Sequence, residues 1–104
     1  MKTGCAVVLC TVPPSEAERT GKILVEERLA ACVSMAGVRS CYIWEGKANL
    51  DREELLIIKT TGNMVEPLKK RILELHSYKV PEIIVLDIIE GHQPYLDWIF
   101  QSVG

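Results

Sequence analysis

The chain has 104 residues and a formal net charge of -2, from 12 Lys and Arg against 14 Asp and Glu. That length is one domain's worth, and 48% apolar with 25% charged residues is a globular composition, which disfavours disorder, collagen and coiled coil. The even charge balance leaves no electrostatic footprint for nucleic acid, and apolar runs that stop at six residues are too short to span a bilayer.

Residues 5–11 (CAVVLCT) are rich in β-formers and predict the first strand. This run lacks a polar leader and a small-residue cleavage site. It therefore reads as a strand and not a signal peptide, with cytoplasmic residence as the expectation. Pro13 and Pro14 end it. Ser15 is the expected N-cap, and Glu16 and Glu18 suit a first helical turn. Ala17, Gly21, Leu24, Val25 and Leu29 fall at helical spacing, which predicts a helix over 15–29.

From Ala31 the period changes to two. Val38, Ser40, Tyr42 and Trp44 alternate with Arg39, Cys41, Ile43 and Glu45, as in a strand. A bulge or bend is expected at Gly37. A turn over 46–51 leads to a third strand over 53–60, so that 31–61 form one long hairpin. Gly62-Asn63 breaks the pattern. Pro67 is tolerated only in a first turn, so the second helix starts near Val65 or Glu66. Val65, Leu68, Ile72 and Leu75 line its apolar face, with His76 at its end. Val80-Pro81 stops the helix, 83–89 predict a fourth strand, and 91–94 turn into a short C-terminal helix. Tyr95, Leu96, Ile99 and Phe100 are its expected inward residues.

The order is βαββαβα. Its first six elements are a split βαβ pattern, so the predicted fold is an α+β ferredoxin-like sandwich spanning 1–104 with an extra C-terminal helix. Right-handed crossovers give strand order 4-1-3-2 with both long helices on one face. Residues 55–58 (LLII) and 83–86 (IIVL) are apolar in both parities, the pattern of strands buried on both sides. The C-terminal helix is too short to cover the second face. Self-association as a cyclic homo-oligomer is therefore expected, with the open face inside it. The hairpin edge bearing Tyr42 and Trp44 is offered to a neighbour.

The cysteines stand at 5, 10, 32 and 41 with no Cys-x-x-Cys pair, so neither a zinc ribbon nor a thioredoxin-like motif is present. Read plainly, they are four small, buried, reduced hydrophobes. Enzyme chemistry is not expected. There is no Gly-rich phosphate loop, no Gly-x-Ser-x-Gly and no His-Glu-x-x-His. The only histidines are His76 and His92, the latter read as a solvated turn residue.

Five segments taken together resemble the CutA divalent-cation-tolerance family. They are 26–33 (EERLAACV), 42–47 (YIWEGK), 58–61 (IKTT), 75–78 (LHSY) with 80–83 (VPEI), and 95–98 (YLDW). They are collinear over nearly the whole chain. The resemblance implies a PII-like homotrimer of ferredoxin-like subunits, a cytosolic setting, and tolerance of copper and other divalent metals. It also implies that Cys10 and His76 are metal ligands for copper or zinc. A thiolate and an imidazole suit Cu or Zn, not Mg or Ca. Where the family carries an adjacent histidine this chain has Leu75, so a third donor would come from Cys32, water or a neighbouring subunit.

A second constellation is Trp44, Glu45, Lys59, Tyr78 and Glu82, with Tyr95 and Trp98 as additions. Polar and aromatic residues at strand ends and turns can line a cleft between subunits. The plainer alternative is a Lys59–Glu45 pair across the hairpin. Three functions are weighed. The first is a trimeric metal-binding protein of metal tolerance. The others are a PII-like module holding a small effector in an inter-subunit cleft, and a structural trimeric scaffold.

Overall fold

The computed structural model describes residues 3–104. The elements are β1 (Cys5–Val12), α1 (Ala17–Glu26), β2 (Cys32–Trp44), β3 (Lys47–Thr61), α2 (Val65–Leu75), β4 (Ile84–Asp87) and α3 (Gln93–Ser102). Short 3-10 turns, Pro14–Glu16 and Gly62–Met64, lead into α1 and α2. The strands lie in the order β2-β3-β1-β4, every neighbouring pair antiparallel. This is the expected 4-1-3-2 sheet.

Strand parity divides the apolar residues between two faces. Val8, Cys10 and Val12 of β1 and Leu56 and Ile58 of β3 point to the helix side. There they bury fully with Leu24 of α1 and Leu68 and Ile72 of α2. Gly21 lets α1 come close to β2, since a Cβ there would lie 2.6 Å from Met35 Cε and 3.2 Å from Val33 Cγ1. The other parity (Val7, Leu9, Leu55, Ile57) points to the opposite face and is half-buried. On that face Ile84 and Leu86 remain 47% and 48% exposed. Only its end is covered, where Leu96 and Ile99 of α3 pack on Cys5 and Ala31.

The boundaries depart from the sequence expectation in several places. No bulge forms at Gly37, because the β2–β3 register runs unbroken from Cys32↔Lys59 to Trp44↔Lys47. The turn is two residues, Glu45 and Gly46, at φ 51° and 78°. Positive φ at both central positions matches the right-handed twist of the flanking strands. Asn49 and Asp51, expected in the turn, are paired strand residues. The Asn49 amide donates to the carbonyls of Lys47 and Trp44 at 3.1 and 3.3 Å and so braces the turn from within.

Helix α1 stops at Glu26, short of Leu29. Leu29 N–H bonds to Leu24 O and Arg28 N–H to Val25 O, both at 3.0 Å, with Arg28 left-handed at φ 60°. That is a Schellman ending on a non-glycine residue. Ser15 makes no capping bond and lies inside the 3-10 turn. β4 keeps only four residues. On α3, Leu96 and Ile99 face in, whereas Tyr95 and Phe100 are 42% and 49% exposed. That helix touches only the end of the sheet, so one stripe of it finds a partner. Among the described residues no helix is long and apolar enough to cross a membrane.

β1 ends with Val12 opposite Glu54, so the rest of the hairpin overhangs the sheet and draws the molecule out to 45 × 27 × 21 Å. Replacing Gly46 by Ala should cost about 1 kcal/mol, from a side chain forced to positive φ. Gly37→Ala, on ordinary extended backbone, should be neutral or gain up to about 0.5 kcal/mol. Urea midpoints of the two variants check the contrast.

Candidate functional site

The end of β1 and the residue that follows α2 bring Cys10 and His76 together on one atom, the carbonyl oxygen of Thr11. His76 Nε2 lies 2.7 Å from it and Cys10 Sγ 3.8 Å. The backbone N–H of Tyr78 donates to His76 Nδ1 at 3.0 Å. An Nδ1 that accepts must be unprotonated. The ring is therefore neutral, carries its proton on Nε2, and donates it to Thr11 O. Its face also meets the Tyr78 ring, centroids 4.7 Å apart.

Cys10 is fully buried. Burial first, then the negative charges of Glu82 and Glu53, push its thiol up to about 12, so it is protonated at neutral pH. As they stand, thiol and imidazole form a latch on Thr11 and are not arranged as an open metal centre. Among the described residues no three His, Cys, Asp or Glu side chains gather as a ligand set. Leu75 packs against the helix-side core. Cys32, weighed as a third donor, pairs with Lys59 and so faces the opposite side of the sheet from Cys10. All four cysteines are free; Cys5 and Cys10 are buried, Cys32 is intermediate and Cys41 is exposed. The reading of all four as buried therefore holds for two.

Beside this latch, the overhanging hairpin and the segment after α2 border an open cavity of about 890 Å³. Ser40, Tyr42 and Trp44 line it from one face of β2, Glu53 from β3, and Tyr78 and Glu82 from the segment after α2. The expected cleft members Trp44, Tyr78 and Glu82 thus meet. Glu45 and Lys59 do not join them. Glu45 is in the hairpin turn, while Lys59 lies toward the other end of β3, its Nζ against Ser34 Oγ and 3.9 Å from Cys32 Sγ. They do not pair with each other, because the register sets Lys59 opposite Cys32. Tyr95 and Trp98 stack 5.5 Å apart on α3, and neither lines this cavity.

Glu53 and Tyr42 are the members that sequence reasoning missed. Glu53 is only 7% exposed, and Tyr78 Oη donates to its Oε2 at 2.9 Å. Burial, then this bond, push the Tyr78 phenol up to about 12. Tyr42 donates to the Asp51 carboxylate, which raises its pKa in turn. The alternation of Ser40, Tyr42 and Trp44 had set those three on one face. Glu53 joins them only because the two-residue turn pairs it with Val38.

The thiols give a direct check. Under reducing conditions an alkylating reagent should modify Cys41 first and Cys32 next, and reach Cys5 and Cys10 only on unfolding; peptide mapping reads the order. The stability profile gives a second. The folded pKa of Cys10 lies near 12 against an ordinary 9.0, so the stability linked to it is fully present below pH 9 and is lost as pH rises toward 12. Tyr78, raised from 10.0 to about 12, adds to the upper part of that window. Denaturation midpoints between pH 8 and pH 12 should fall, and less steeply in Cys10→Ala and Tyr78→Phe.

The CutA1 divalent ion tolerance protein family model matches residues 6–102. A divalent-cation tolerance protein CutA of Thermus thermophilus is 51% identical over 100 residues, covering 94% of this chain and 97% of that protein. A chloroplastic CutA protein of Arabidopsis thaliana is 47% identical over 98 residues, covering 92% of this chain and 54% of its own length. Among solved structures, a PII-like protein CutA from Nostoc sp. PCC 7120 superposes with a TM-score of 0.91 at 34% identity, over 95% of this chain and 97% of that one.

Proposed function

Because the chain belongs to the CutA1 divalent ion tolerance family and has a PII-like fold, we propose that it is a homotrimeric, non-catalytic cytoplasmic protein that takes up a copper ion, or zinc. The observation that carries the metal reading is the convergence of Cys10 and His76 on Thr11 O. A soft sulfur and an imidazole, the donor pair for Cu and Zn, thus share one neighbouring atom, which supports this reading. Each must leave Thr11 to take an ion, and the thiol must lose its proton. With Cys32 on the other face of the sheet, a third donor comes from water or a neighbouring subunit. The non-catalytic reading is supported by the sequence, which carries no Gly-rich phosphate loop, no Gly-x-Ser-x-Gly and no His-Glu-x-x-His.

The trimer reading is supported by the open sheet face, where Val7, Leu9, Leu55 and Ile57 continue into the exposed Ile84 and Leu86. A monomer leaves such a contiguous apolar patch in water, which soluble proteins avoid. A second reading, a small effector held beside the hairpin, is favoured by the cavity between Trp44, Tyr78 and Glu53.

Light scattering should report a particle of three times 11.7 kDa, and Ile57→Glu should convert it to monomers that keep the helix-side core. A lone subunit for the unmodified chain at micromolar concentration would sink the trimer. Competitive Cu(I) titration under reducing conditions should show affinity rising about tenfold per pH unit from 6 to 8, one proton being displaced from Cys10. Cys10→Ser should weaken it by at least about tenfold. Identical titrations for Cys10→Ser and the unmodified chain would remove Cys10 from the site.

A further inference from the structure

The cavity's charge and wall chemistry narrow what it can hold. Glu53 lines it and is only 7% exposed, yet among the described residues no cation pairs with it. Its one hydrogen bond there is the phenol of Tyr78 on Oε2. A carboxylate on the cavity wall with no counter-charge is a standing attraction for a cation. Glu82 lies on the same cavity, and Asp51 stands behind Tyr42. The single basic lining residue, Lys79, is exposed and makes no ion pair among the described residues. Acidic groups therefore outnumber basic ones, which disfavours a phosphate or carboxylate ligand.

The rest of the wall holds three aromatic rings beside Thr11, Ser40, Cys41 and Val80. Tyr42 and Trp44 are two apart on β2 and share a face, and Tyr78 stands across from them. Aromatic faces attract cations whose charge is spread over a bulky group. A space of about 890 Å³ is far too large for a bare metal ion and suits a small organic molecule. Two of the three aromatic walls are held before any ligand arrives. Tyr78 is fixed by Glu53 and by the His76 ring, and Tyr42 by Asp51. Such preorganisation lowers the ordering cost of binding.

We propose that this cleft binds a small organic cation of the quaternary-ammonium type, with Glu53 as its counter-charge and Tyr42, Trp44 and Tyr78 as its aromatic walls. The proposal rests on the effector reading of the cleft and names the ligand class for it.

Trp44 is the natural reporter, in a Trp98→Phe background that leaves it the only tryptophan. Three probes separate the outcomes: choline, its neutral carbon isostere 3,3-dimethylbutan-1-ol, and adenosine monophosphate as an aromatic anion. Choline should saturate a change in Trp44 emission at millimolar concentration, with the isostere at least about tenfold weaker. Glu53→Gln keeps an oxygen to accept from Tyr78, so it should leave the melting temperature in place and weaken choline by at least about tenfold. Equal binding of choline and its isostere, tighter binding of the nucleotide, or an unchanged choline affinity in Glu53→Gln would each overturn the cationic class while leaving the cleft a ligand site. No response to any of the three would overturn the effector reading with it. A Trp44 signal that is blind to all probes but changes on dilution, in step with subunit dissociation, would show a second copy in the cleft and overturn both.

Discussion

The unbroken pairing of β2 with β3 is the constraint on which the rest depends. Because Glu45 and Gly46 turn the chain in two residues, the strands stay in one register over the full thirteen residues of β2. That register sets Val38 opposite Glu53 and Ser40 opposite Asp51, and so brings two carboxylates beside Tyr42 and Trp44. It also makes the hairpin longer than β1 can accompany. The overhang is what leaves a cavity past the end of β1. A turn one residue longer would move every later side chain to the other face, and the aromatic and acidic walls would part.

Within the sheet, one residue of parity separates a core from an interface. Val8, Cys10 and Val12 close with the helices, while Val7 and Leu9 between them look the other way. The same alternation parts the cysteines. Cys10 is sealed under α2, and Cys32 faces Lys59 on the opposite side. Chemistry that needs both thiols on one centre within a single chain is therefore closed off by geometry and not by distance along the sequence.

The end of β1 and the cavity are parts of one chain of contacts. Thr11 O accepts from His76, His76 accepts from the backbone of Tyr78, and the Tyr78 phenol donates to Glu53. The ring of His76 can serve both neighbours only in its neutral Nε2–H form. Cys10, held near 12 by burial and by Glu82 and Glu53, lies beside the same chain. The latch on Thr11 and the wall of the cleft therefore share His76 and Tyr78, although the two ends look like separate sites when read along the sequence.

The sequence by itself determined the element order, the strand order and the split of apolar residues between two faces. These follow from periodicity, from Pro13-Pro14, Gly62-Asn63 and Pro81 as breaks, and from right-handed crossovers, all of which act locally or by topology. It also marked Cys10, His76, Trp44, Tyr78 and Glu82. Only the tertiary structure decided what those residues do. It showed His76 spent on Thr11 and Tyr78, Cys10 protonated, and Glu45 and Lys59 outside the lining of the cleft. It also brought in Glu53, whose place depends on where a turn falls between two strands. Asn49 and Asp51 favour turns as strongly as Glu45-Gly46 does, and only cross-strand pairing, which local propensity does not contain, chooses between them.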